Sequence, residues 1–224
     1  MNENEYQKEL ISLSDKKYQA FSQKLAGSDL RLLGIRIPLL VSLIKKESKD
    51  EELLTSKLDP SLSLEMTLSY LGISLLRMDS FQEQMKFLTD NLYLAKSWIC
   101  TDCLGKFIKK STLKDYQPFF NLLLRKKDTW SKRFAFVYAS TYLKDRRVLS
   151  LLKKIKPTTD YYVLMSQAWF IANLGVYYPS NIYEFLSQSS ISSYLKKKAI
   201  QKLLESYRIS QGDKDRYRLL RNQI

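Results

Sequence analysis

The sequence predicts an all-α fold built as an α-solenoid of stacked helix pairs, and three observations predict it. Only 6 Gly and 5 Pro punctuate 224 residues, too few for an all-β chain that needs a turn every ~8 to 12 residues. Apolar residues recur at intervals of three and four through most of the chain, the period of an amphipathic helix. The expected helix pairs begin near residues 61, 97, 130, 161 and 192, in steps of 36, 33, 31 and 31, a rhythm in which each pair buries its apolar face on the next. A single irregular helical bundle is the alternative.

Taken in order, Leu10, Leu13, Tyr18, Phe21 and Leu25 form an apolar stripe that stops at Gly27, so residues 1–26 are expected to be an end helix covering the first apolar face. Pro38, tolerated in a first helical turn, opens a run through Leu39, Leu40, Leu43 and Ile44. Asp59-Pro60 introduces the next. From there helices are expected near 61–77, 80–94, 97–110, 114–126, 130–143, 146–155, 161–177, 180–188 and 192–207. Residues 210–224 carry a net charge of +2 and read as a short basic helix or a frayed tail. The whole of 1–224 is expected to be one domain.

Composition narrows the chemistry. There is no histidine, which excludes Ser-His-Asp and Cys-His catalysis, imidazole-ligated zinc and a histidine general base. The two cysteines, Cys100 and Cys103, have no second pair to complete a metal site and no preceding strand to make a redox motif, so two reduced thiols in a helix are expected. No metal or other cofactor is expected. The N-terminus has no signal-like apolar core and no stretch reaches the ~18 apolar residues of a membrane span, so the protein is expected in the cytoplasm.

The net charge of +14 favours a polyanionic partner. It is unevenly spread: residues 1–100 carry −1 and residues 101–224 carry +15. Lys106, Lys109, Lys132, Lys144 and Arg147 recur near expected helix ends, where a curved stack aligns them on a concave basic face as a track for a phosphate backbone. Cations at helix C-termini also complement the helix dipole, and charge alone leaves the two readings open.

Trp98, Arg133 and Trp169 are separated by 35 and 36 residues, one repeat each, so they occupy equivalent places on successive repeats. Asp102 follows Trp98 by four residues and shares its helical face. A carboxylate among indoles with an arginine nearby makes an aromatic-walled anionic pocket suited to a cation. The alternative is structural: aromatics in the core, and an ion pair between Asp102 and Arg133.

Four segments stand in a particular order: Leu33-Gly34-Ile35-Arg36-Ile37-Pro38, Lys96-Ser97-Trp98-Ile99-Cys100-Thr101-Asp102, Trp130-Ser131-Lys132-Arg133-Phe134-Ala135 and Gln167-Ala168-Trp169. Over residues 30 to 208 they resemble the landmarks of the AlkD-like DNA alkylation repair family. The resemblance implies HEAT-like repeats whose concave face binds duplex DNA, and a glycosylase that releases N3- and N7-alkylated purines. It gives Asp102 the stabilisation of an oxocarbenium-like sugar and the placing of water. Trp98 and Trp169 then flank the deoxyribose, and Arg133 holds the backbone. Family members also press a helix into the minor groove, and the six residues Ser28 to Leu33 between Gly27 and Gly34 cannot hold an additional one. With a shortened N-terminus, excision is expected to be weak or lost, and DNA binding by a monomer weak and salt-sensitive. The alternative is a non-catalytic relative or a protein-binding solenoid.

Overall fold

The computed structural model describes residues 2–53 and 57–224, and among them every regular element is helical. They divide into two compact units, Met1–Ser111 and Thr112–Ile224. In the first unit the α-helices are α1 (Glu3–Ser12), α2 (Lys16–Leu25), α3 (Ile37–Glu47), α4 (Leu64–Leu76), α5 (Phe81–Asn91) and α6 (Trp98–Cys103). In the second they are α7 (Leu113–Arg125), α8 (Thr129–Ala139), α9 (Tyr161–Tyr177), α10 (Pro179–Gln188), α11 (Ser193–Glu205) and α12 (Gln211–Gln223), with a 3-10 helix at Arg146–Lys154.

Local chemistry sets the boundaries. Asn2 with Glu5, Ser80 with Glu83 and Thr112 with Asp115 form reciprocal capping boxes that satisfy orphan amides at the starts of α1, α5 and α7. Single side-chain caps from Asp15, Ser63, Ser97, Asp128, Asp160, Ser192 and Ser210 do the same for seven further helices. Pro38 and Pro179 sit in first turns, where a missing amide costs nothing.

Each unit is organised on one helix buried around most of its circumference. α4 packs against α3, α5 and α6; α9 packs against α8, α10 and α11. Helices adjacent in sequence are thus neighbours in space, which is the packing of a helical repeat. In the second unit the core is aromatic: Tyr116 stacks on Tyr142 at 5.5 Å and meets Tyr138 edge-on at 4.9 Å, and Phe136 bridges Phe120 and Phe170. The buried Tyr116 hydroxyl donates to the Ala135 carbonyl at 2.9 Å, so its burial leaves no unmatched donor.

Three expectations change. The end helix is two helices, because Asp15 turns its carboxylate onto the amides of Lys17 and Tyr18 and starts α2 afresh, while its own amide donates to Gly34 O at 3.1 Å. The apolar stripe is not a core face either: Leu10 is buried, but Phe21 is 66% exposed and Leu25 54%. α6 is also short. After Cys103 the chain tightens into a 3-10 turn at Leu104–Lys106, and the Lys109 amide then caps the buried Gln84 side chain at 2.8 Å.

Candidate functional site

The site in the first unit begins with a buried carboxylate. Glu65, on α4 and 2% exposed, accepts from the amides of Leu33 at 2.9 Å, Gly34 at 2.8 Å and Ile35 at 3.2 Å. Three amides converging on one carboxylate fix the Leu-Gly-Ile turn against α4. Gly34 is required there: its φ is +90°, and a Cβ would lie 2.6 Å from the Asp15 carbonyl.

That turn in turn holds α2. Gln19 Nε2 donates to Leu32 O at 2.6 Å, Gln23 Nε2 to Leu30 O at 3.2 Å, and the Leu32 amide donates back to Gln23 Oε1 at 2.7 Å. The far end of α2 meets α6. Lys96, in the left-handed region at φ 43°, swings the chain so that Ser97 caps α6 and donates to Ala26 O at 2.6 Å. Trp98 Nε1 donates to Leu25 O at 2.7 Å, which locks the indole beside α2.

Asp102 lies one turn beyond Trp98, with the Thr101 hydroxyl donating to its Oδ1 at 3.1 Å. The two side chains line a cavity of about 140 Å³ whose other walls include Tyr18, Phe21 and Leu25 of α2 and Ile37 of α3. An anionic group in an aromatic-walled recess is thus present in this unit. Sequence reasoning found Trp98 and Asp102 and missed the α2 wall, since Tyr18, Phe21 and Leu25 have the spacing of a core stripe. The thiols beside them are quiet. Burial raises Cys100 well above the usual thiol range, and burial with the nearby Asp102 charge brings Cys103 to about 11, so both are protonated near neutral pH.

In the second unit Arg133 and Trp169 come together. Arg133 is 4% exposed, donates Nη1 to the Tyr162 carbonyl at 3.0 Å, and places its guanidinium 5.8 Å from the Trp169 ring centre. Trp169 is 41% exposed and covers the cation. Among the sequence-derived backbone cations, Lys106, Lys109 and Lys144 are exposed and Lys132 is half-buried, its Nζ 3.4 Å from Lys127 O. Arg147 forms a two-pronged pair with Asp145, Nη2 to Oδ2 at 2.7 Å and Nε to Oδ1 at 2.9 Å, so its charge is matched locally.

A family model described as DNA alkylation repair enzyme matches residues 6–203. The chain belongs to the DNA alkylation repair enzyme family. No curated protein and no solved structure among those compared matches it. Family membership gives the chain a role in repair of alkylated DNA and makes DNA its partner. The match extends over α2, the Leu-Gly-Ile turn, α3, α4, α6, α8, the 3-10 helix at Arg146–Lys154 and α9, so the side chains described above lie within it. No described helix is long and apolar enough to cross a membrane.

Proposed function

We propose that this member of the DNA alkylation repair enzyme family is a monomeric cytoplasmic glycosylase that releases N3- and N7-alkylated purines from duplex DNA. The observation that carries the reading is the Asp102 carboxylate set beside Trp98 in a recess walled by Tyr18 and Phe21. A purine alkylated at these positions is already cationic, so breaking the bond from the sugar C1′ to the base nitrogen expels a neutral base without a proton donor. That suits a chain lacking histidine. The positive charge passes to the sugar, where a carboxylate stabilises the transition state more than the ground state. Water then adds to C1′, with Asp102 orienting it. Trp98 supplies a π face for the cationic sugar, and within the second unit Arg133 lies buried beneath the Trp169 indole and keeps it in place.

α2 bears on how much excision survives. With Phe21 and Leu25 exposed at the rim of the Asp102 recess, α2 offers an apolar helical edge of the kind that wedges into a minor groove. This favours retained activity over loss. The test is base release from a duplex containing N7-methylguanine: release above the spontaneous rate supports the reading, and its absence with intact DNA binding leaves a binding protein instead.

A further inference from the structure

A second cavity, of about 460 Å³, lies wholly within the second unit between α7, α8, the segment 154–158 and the first turns of α9. Its volume falls in the range of small-molecule sites. Arg125, Lys132, Lys154 and Lys156 line it, and no carboxylate does. Four cations gathered without a counter-charge repel one another, and a polyanion in the cavity relieves that repulsion.

The remaining lining is not that of a simple phosphate track. Leu124, Phe136 and Val163 give it an apolar wall. Gln167, one turn along α9 from Val163, also lines the cavity and is 3% exposed. Its Nε2 donates to Lys156 O at 3.1 Å, but its Oε1 accepts from no donor among the described residues. Such an orphaned buried acceptor is destabilising, and a ligand N–H or O–H would satisfy it. Gln167 and Trp169 are two residues apart on one helix and point to nearly opposite sides, about 200° around the axis, so this cavity is distinct from the Arg133–Trp169 face.

We propose that this cavity binds a nucleoside di- or triphosphate. The phosphates lie among the four cations, whose charge a polyphosphate matches more closely than a monoester does. The base lies against Leu124 and Phe136 with a donor toward Gln167. The inference goes beyond the glycosylase reading and does not depend on it.

Calorimetry on the full chain with ATP, adenosine and inorganic triphosphate tests it. ATP should bind about tenfold or more tightly than either fragment, since each fragment meets only half of the lining. Lys154→Ala with Lys156→Ala should lower ATP affinity about thirtyfold, and Gln167→Leu several-fold, with melting curves and base release from N7-methylguanine DNA unchanged. Triphosphate binding as tightly as ATP, or affinity indifferent to both variants, would overturn the proposal. So would a short unmodified duplex that displaces ATP and loses affinity equally in the lysine variant, because the cavity would then be a stretch of the DNA path. If Gln167→Leu lowers the melting temperature, the exposed lysine pair alone decides.

Discussion

At the scale of single residues, two carboxylates divide the labour in the first unit. Glu65 is buried and wholly engaged by three backbone amides, whereas Asp102 is half-buried and lines a recess. Their substitutions should therefore fail differently. Glu65→Ala strands three buried amides and leaves a cavity, and should cost about 3–5 kcal/mol, read as a fall in melting temperature; a loss below about 1 kcal/mol would show that the turn does not depend on it. Asp102→Asn keeps the shape and removes the charge. It should leave melting and DNA affinity near the parent values while base release falls about 100-fold or more, the size seen when one preorganised electrostatic group is lost. Unchanged release would remove Asp102 from the mechanism. Asp102 is also the one acidic residue between Asp90 and Asp115, so its own repeat offers no substitute.

At the scale of elements, α2 has an unusual ratio of apolar exposure to anchoring. Phe21 and Leu25 face out, yet Gln19, Gln23 and the Leu25 carbonyl tie the helix to the Leu-Gly-Ile turn and to Trp98. Phe21→Ala with Leu25→Ala removes exposed side chains while leaving those anchors, so stability should change by no more than about 0.5 kcal/mol. If α2 meets DNA, affinity for duplex and base release should fall together by about tenfold, measured by titration and single-turnover assay; values equal to the parent would make α2 a scaffold only. The same element shows what sequence reading can reach. Trp98 and Asp102 were legible because one helix fixes their relation, four residues apart on one face. The repeat spacing set Arg133 and Trp169 on successive repeats, and only tertiary packing shows the guanidinium lying 5.8 Å from that indole. The α2 wall was not, because an i, i+3, i+7 stripe looks the same whether it faces a core or a groove, and only tertiary packing decides. Glu65 was hidden for a related reason: its partners are backbone amides about thirty residues away, which leave no side-chain pattern. The start of α3 was legible from Pro38 in its first turn, whereas the break at Asp15 was missed because a continuous apolar stripe spans it.

At the scale of the whole molecule, charge is divided along the same line as the fold. The first unit carries +1 and the second +13, so attraction to a polyanion is concentrated in Thr112–Ile224. Much of that charge stands at exposed positions such as Lys144, while part is neutralised where Arg147 pairs with Asp145 and Arg216 lies 3.7 Å from Asp213. Binding through such cations releases counterions from DNA and carries little base information, so affinity should fall steeply with salt and vary little with sequence. Each phosphate contact contributes about 0.9 to the slope of log affinity against log salt. Replacing Lys106, Lys109, Lys132 and Lys144 together by Ala should then flatten the slope by about three to four if all four touch phosphate. Arg147→Ala should change it less, because Asp145 already holds that guanidinium and is left unpaired by the substitution. Filter-binding or anisotropy titrations of an unmodified duplex from 50 to 200 mM salt measure both. A slope unchanged in the fourfold variant would place the DNA path on other cations. A slope that falls as much for Arg147→Ala as for a single exposed lysine would show that the Asp145 pair opens on binding.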